Sequence, residues 1–206
     1  MISAREALEC LREGNQRFVS GSRSHNTFES QTRLHELLAG QEPLAIILGC
    51  SDSRVPIEII FDQGLGDLFV IRIAGNIVAS SQVGSIEFAA EKFGTRLVVV
   101  LGHTRCGAVR ATLEELQRPS EKRSRKLRAI VDRIRPAVEG LLVTELQHDP
   151  DALEQRAIRA NVRNSTDHLR HGSQILQQLV QSDRLLIVGA EYSLETGIVD
   201  FFDGMP

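Results

Sequence analysis

Apolar and polar positions along this chain follow two rhythms. Ala4, Leu8, Leu11 and Phe18 recur at helical spacing behind Ser3 and Glu6, a Ser-x-x-Glu capping box, and predict a first helix. The stretch 20–30, rich in Gly, Ser and Asn, reads as a loop or extended arm, and 32–39 as a short helix ending at Gly40. The rhythm then changes to short apolar runs at 44–48, 67–73, 97–101 and 185–188, each passing into a glycine-containing turn. These runs predict strands. Helical spacing returns at 81–93, with Val83, Ile86, Ala90 and Phe93 on one face and Gly94 as C-cap, and at 108–116. From Pro119 to Ser182 the signal is almost entirely helical. Leu127, Ile130, Val131 and Ile134 form one stripe ahead of Pro136. Asp149-Pro150 is a helix start, and Gly172-Ser173 divides the remainder into two helices. Continuous apolar strands separated by helices predict an α/β fold: a central, mostly parallel β-sheet flanked by helices, with an N-terminal helical arm.

The 206 residues suit one domain over 1–206, with the N-terminal helix and arm at 1–40 and an α/β core at 41–206 that includes the helical segment 119–182. Hydrophobic residues at 42% and charged residues at 25% exclude bulk disorder. No apolar run approaches the ~20 residues of a spanning helix, and no basic-then-apolar leader is visible, so the expectation is a cytoplasmic protein without membrane contact. Lys and Arg number 24 against 27 Asp and Glu, which excludes a dominant nucleic-acid footprint. The basic cluster Arg118, Lys122, Arg123, Arg125, Lys126 and Arg128 reads as a solvated helix face.

The 3 cysteines do not form an even disulfide framework, and a reducing compartment leaves their thiols free. Cys10 lies in the first helix and reads as a small buried hydrophobe. Position singles out the other two. Cys50 follows the first strand, His103 follows the third, and Cys106 comes three residues later at a helix start. In a parallel sheet those strand ends share one crevice. Two thiolates and an imidazole are a preferred donor set for zinc, and three protein ligands leave a fourth position open, as in catalytic sites. A nucleophilic Cys50 with His103 as base, and a structural zinc closed by a fourth ligand, fit the same spacing. Asp52 and Arg54 stand two apart just beyond Cys50. Arg54 beside it would keep Asp52 ionised, and an ionised carboxylate only accepts hydrogen bonds.

CSDSR at Cys50–Arg54 and HTRCG at His103–Gly107 resemble the zinc motifs of the β-class carbonic anhydrases. GNQRF after Leu8, RIAGN at Arg72–Asn76, VGSIEFA at Val83–Ala89 and GAEYSLETG at Gly189–Gly197 are similar to that family as well. The resemblance covers nearly the whole chain. It implies Cys50, His103 and Cys106 as ligands of one Zn2+ per chain, with Asp52 and Arg54 as a catalytic dyad. It implies Gln41, Phe69, Phe88 and Gly107 in the substrate pocket, some of them supplied across a dimer interface, and a homo-oligomer, dimer or tetramer. The implied reaction is reversible hydration of carbon dioxide to bicarbonate and a proton by attack of zinc-bound hydroxide. Relatives with these ligands hydrolyse carbonyl sulfide or carbon disulfide instead, and a non-catalytic zinc-stabilised interaction protein is a further alternative. Arg72 and Tyr192 match two positions of an inhibitory bicarbonate site found in some members, but Ile47 stands where that site has Trp. His25, His35, His148, His168 and His171 read as surface groups.

Overall fold

The computed structural model describes residues 2–24, 31–118 and 125–206. Part of the expected arm, with His25, and Lys122 and Arg123 of the basic cluster lie outside the described residues. In chain order the elements are α1 (Ala4–Ser20), α2 (Gln31–Glu36), β1 (Ala45–Gly49), α3 (Ile57–Ile60), β2 (Leu68–Arg72), α4 (Ser80–Lys92) and β3 (Leu97–His103). They continue with α5 (Gly107–Gln117), α6 (Arg125–Val138), α7 (Pro150–His171), α8 (Gln174–Gln181), β4 (Leu186–Tyr192) and β5 (Val199–Asp203).

Local chemistry sets the helix starts. Ser3 Oγ accepts from the Glu6 amide at 3.2 Å, and Glu6 returns the bond to the Ser3 amide at 2.7 Å, so the capping box closes α1. Asp149 caps α7 through the Ala152 amide at 3.1 Å, with Pro150 as the first helical residue. Gly172 and Ser173 separate α7 from α8, as the sequence predicts.

The strands form one sheet in the order β2-β1-β3-β4-β5. The pairings β1–β2, β1–β3 and β3–β4 are parallel, and β5 joins β4 antiparallel. Every residue of β1 and β3 is buried, which explains their unbroken apolar sequence. Alternate side chains serve two cores. Ile47, Val99, Leu101 and Val188 pack with Leu8 and Leu11 of α1 and Ile57, Ile60 and Phe61. Ile46, Leu48, Val98, Val100 and Ile187 pack with Ile86 and Ala89 of α4, Val162 and Leu169 of α7 and Leu176 of α8. A third core lies where α5, α6 and α7 meet, and it includes Cys50 and Cys106.

The structure corrects the sequence reading at several points; β3 runs two residues past Leu101 to His103, and Cys10 is only half-buried. β4 does not stop at Val188 but runs to Tyr192. Gly189 is a contact point and not a turn: a Cβ there would meet Val162 Cγ1 at 2.8 Å. α6 continues past Pro136 to Val138, because the proline falls in its last turn and Ile134 and Val138, both fully buried, hold that turn against the third core. Leu127, expected on the buried stripe, is exposed. β5 carries no clear apolar run, and the sequence reading has no strand there. Among the described residues no helix is long and apolar enough to cross a membrane.

Candidate metal centre

β1 and β3 are parallel neighbours, with Gly49 opposite Leu101. Cys50 leaves β1 immediately after Gly49, and His103 is the last residue of β3, so both arrive at the C-terminal edge of the sheet. A tight turn then brings Cys106 to the N-cap of α5. Arg105 within that turn adopts φ +54°, the left-handed region. The ligand atoms of Cys50, His103 and Cys106 lie within 4.8 Å of one another, and all three residues are buried.

The donor set fits a cation such as zinc. His103 Nδ1 lies 2.9 Å from the Thr104 carbonyl oxygen, which can only accept, so Nδ1 carries the proton. In the neutral ring Nε2 then keeps its lone pair; it is buried and, among the described residues, has no hydrogen-bond partner. A buried acceptor beside two sulfurs is the arrangement a metal satisfies. The two sulfurs titrate as a pair. Interaction with the Cys106 thiol holds the Cys50 thiol down to about 4, against the opposing effect of burial. The same interaction, together with burial, pushes Cys106 above the ordinary thiol range. For His103, burial disfavours the charged ring, but attraction to the Cys50 sulfur outweighs it and the net direction is upward.

The dyad is assembled beside the cluster. Asp52 Oδ1 accepts from the Arg54 amide at 3.0 Å and from Arg54 Nε at 2.9 Å, while Oδ2 accepts from Arg54 Nη2 at 2.7 Å. This fork holds the Asp52 carboxyl well below the usual carboxylate range. Oδ2 lies 3.9 Å from His103 Nε2 and is the oxygen nearer the ligands. Arg54 Nη2 also donates to the Arg105 carbonyl at 3.3 Å. Asp52 is thus turned toward Arg54.

Two further features support the loop from Cys50 to Arg54, and the sequence reading assigns neither. Arg72, at the end of β2, donates to the Cys50 carbonyl at 3.0 Å and to the Asp52 carbonyl at 2.6 Å. The Gly75 amide donates to Cys50 Sγ at 3.4 Å. Both belong to the RIAGN stretch, whose residue types gave no sign of a role in backbone support. Ile47 and Tyr192 are buried in the core beneath α1 and α3.

The expected pocket residues divide. Gly107 opens α5, and a Cβ there would meet nothing within 4 Å. It faces a groove of about 1350 Å3 bounded by Arg54, Arg105, Glu154, Arg159 and Glu191, among others. Gln41 is exposed ahead of β1, at the opposite end of the strand from Cys50. Phe69 pairs in register with Ile46 and packs with Phe88 and Phe93, its ring centroid 6.4 Å from that of Phe88 and 6.0 Å from that of Phe93. Phe88 is 52% exposed. These three are not gathered at the cluster of their own chain. Of the other histidines described, His35, His148, His168 and His171 are exposed, as expected.

Comparison with known proteins agrees with this geometry. A family model described as carbonic anhydrase matches residues 45–199. The chain is 40% identical over 196 residues to carbonic anhydrase 2 of Mycobacterium tuberculosis, covering 93% of this chain and 89% of that protein. It is 38% identical to the carbonic anhydrase of Mycolicibacterium smegmatis, covering 94% and 91% of the two chains. Among solved structures, the β-carbonic anhydrase CafA of Aspergillus fumigatus superimposes with a TM-score of 0.76 at 27% identity, covering 98% of this chain and 92% of that one.

Proposed function

The chain belongs to the β-carbonic anhydrase family, and from that premise we propose a zinc-dependent hydration of carbon dioxide to bicarbonate, carried out by named residues of this sequence. Cys50, His103 and Cys106 would hold one Zn2+. The observation that carries this reading is the unpaired, buried Nε2 of His103 aimed among two cysteine sulfurs. When bound, the ion supplies Lewis acidity that activates water at neutral pH.

The chain's own groups do the rest. Asp52, kept ionised by Arg54, is an acceptor only, so it takes a hydrogen bond from the attacking water and leaves that water's remaining lone pair free for carbon. Arg54 fixes the carboxylate plane through its fork, and the Arg105 carbonyl fixes Arg54 in turn. Arg72 holds the backbone on both sides of Ser51 by its two carbonyl bonds, so the ligand Cys50 and the acceptor Asp52 move as one piece. Gly107, lacking a side chain, leaves room beside the site for a small linear substrate.

Gln41, Phe69 and Phe88 complete an apolar pocket with an amide donor only if they serve the site of a second copy. Their distance from their own cluster and the exposure of Phe88 support that arrangement. A homodimer, alone or paired into a tetramer, follows from this reading, as does a cytoplasmic setting in which the thiols stay reduced. Stopped-flow hydration of carbon dioxide between about pH 7 and 9, with zinc quantified in the same sample, tests the proposal. Turnover at one zinc per chain supports it. A fully zinc-loaded protein that is inactive on carbon dioxide but turns over carbonyl sulfide or carbon disulfide overturns it in favour of the sulfur substrates.

A further inference from the structure

The residues that surround Cys50 form a chain of contacts reaching α7. Gly75 donates its amide to Cys50 Sγ at 3.4 Å, and both atoms are buried. The other side of the same residue is held from α7: Asn161 Nδ2 donates to the Gly75 carbonyl at 2.8 Å. One residue further on, Ser165 Oγ donates to the Asn76 carbonyl at 3.1 Å. The loop so gripped turns left-handed at two successive residues, with φ +70° at Gly75 and +43° at Asn76. It is also tightly enclosed, since a Cβ on Gly75 would meet Ile134 Cδ1 at 2.9 Å and Ala108 Cβ at 3.0 Å.

Asn161 is 1% exposed, and among the described residues its Oδ1 has no hydrogen-bond partner. Packing alone is poorly served by a buried amide whose oxygen is unmet, since a buried polar group without its partner is destabilising. What this side chain delivers is one donor to Gly75. An amide donating to a sulfur draws electron density from it, and outer partners of this kind govern how a ligand faces its metal.

We propose that Asn161 is a positioning residue for the metal centre: by anchoring the Gly75 carbonyl it fixes the orientation of residue 75, and with it the N–H of the preceding peptide, which it aims at the Cys50 sulfur, so lowering the electron donation of that thiolate. With Cys50 restrained as a donor, a site containing two thiolates keeps more of its Lewis acidity. The inference rests on Cys50 being a metal ligand, as proposed above.

The test uses the full chain loaded with Co2+, whose thiolate-to-cobalt charge-transfer band reports the sulfur directly, together with zinc competition against a chromophoric chelator. Asn161→Leu keeps approximate size and removes the donor. It is expected to move the charge-transfer band to longer wavelength while zinc binding is held or strengthened, because a thiolate freed of the Gly75 donor gives more electron density to the metal. Ser165→Ala releases the same loop one residue later without touching Gly75, and it is expected to leave the band in place whatever it costs in stability. Should Asn161→Leu not fold, Asn161→Ala carries the same comparison. An unmoved band in the folded Asn161 variants, or an equal shift in Ser165→Ala, overturns the positioning role. Cys50→Ser separates the two levels: if it leaves the native band intact, Cys50 is not a ligand, and the underlying reading of the centre fails along with this one.

Discussion

Asp52→Asn is the most direct probe of the proposed chemistry, because it exchanges one carboxylate oxygen for an NH2 group and leaves the three ligands alone. In the native protein both carboxylate oxygens face donors of Arg54, and Oδ2 is the one toward the ligand cluster. An asparagine amide has one acceptor and one donor group. If its oxygen keeps the Arg54 amide and Nε, its NH2 confronts Arg54 Nη2 and presents hydrogen where a water needs an acceptor. If the amide turns over, two Arg54 donors face the NH2 instead. Either orientation loses the fork and half of the acceptor capacity. Removing one correctly placed proton acceptor lowers rates by about 10²–10⁴-fold. Because the Asp52 side chain is still 18% exposed, water is a partial substitute, and a loss of about 10²–10³ in kcat/KM is expected here. Metal content and circular dichroism should stay native. Stopped-flow hydration assays on native and variant protein at matched zinc content decide the matter. A variant within threefold of native turnover, fully loaded with zinc, would refute the assigned role, and Arg54→Lys, which keeps the charge without the fork, should fall between the two.

Cys106→Ser should lose its metal on dialysis against a mild chelator, as read by elemental analysis; retention of one zinc per chain would remove Cys106 from the ligand set. Gly75→Ala imposes a left-handed conformation on a residue with Cβ, about 1–2 kcal/mol, and overpacks Ile134 and Ala108 by about 1–3 kcal/mol more. Urea unfolding should therefore show a loss of about 2–5 kcal/mol, and a loss below about 1 kcal/mol would show that the loop relaxes freely. In metal-stripped protein the Cys50–Cys106 pair should hold one proton from about pH 4 upward through the ordinary thiol range, while the unfolded chain holds two below about 8.5 and none above it. The pair's contribution to stability then rises with pH from about 4 to about 8.5, where the unfolded state binds more protons, and falls beyond that point, where the folded state does. Denaturation of stripped native protein minus that of stripped Cys106→Ser, followed across pH, isolates the contribution; a flat difference would contradict the shared proton.

The sequence carries the central strands and the ligand triad openly, for related physical reasons. β1 and β3 are buried on both faces, so their residues are uniformly apolar and their ends are sharp. Parallel pairing of those two strands is enough to bring Cys50 and His103 together. What the sequence hides is governed by tertiary contact. Gly189 looks like a turn residue, yet it lies mid-strand because α7 approaches too closely for a side chain. Pro136 looks like a stop, yet two buried neighbours carry the helix past it. β5 survives as an antiparallel edge on the strength of β4 and not of its own pattern. At the site, Asp52 and Arg54 are legible because they adjoin a ligand, whereas Asn161 is 111 positions from Cys50 and sits among ordinary helical residues. Its role is set by where α7 crosses the loop at Gly75, a relation that local spacing does not encode. Gln41, Phe69 and Phe88 came through family resemblance alone, and one chain by itself does not gather them.

The strand order has a kinetic consequence. β1 and β3 meet only after the chain has gone out through β2 and α4 and returned, and β4 reaches β3 only after α5–α8 have been laid down. No hairpin delivers either pairing, so the interior of the sheet closes late and over long separations, at a substantial entropic cost before any contact is gained. An unfolded chain offers a cation His103 and Cys106, three residues apart, but holds Cys50 at the far end of a 53-residue excursion. The third ligand arrives only when the β1–β3 ladder has formed in its correct register. Three-ligand capture of a metal is therefore a timestamp on the β1–β3 pairing, and the rate of its uptake during refolding would clock the closure of that ladder.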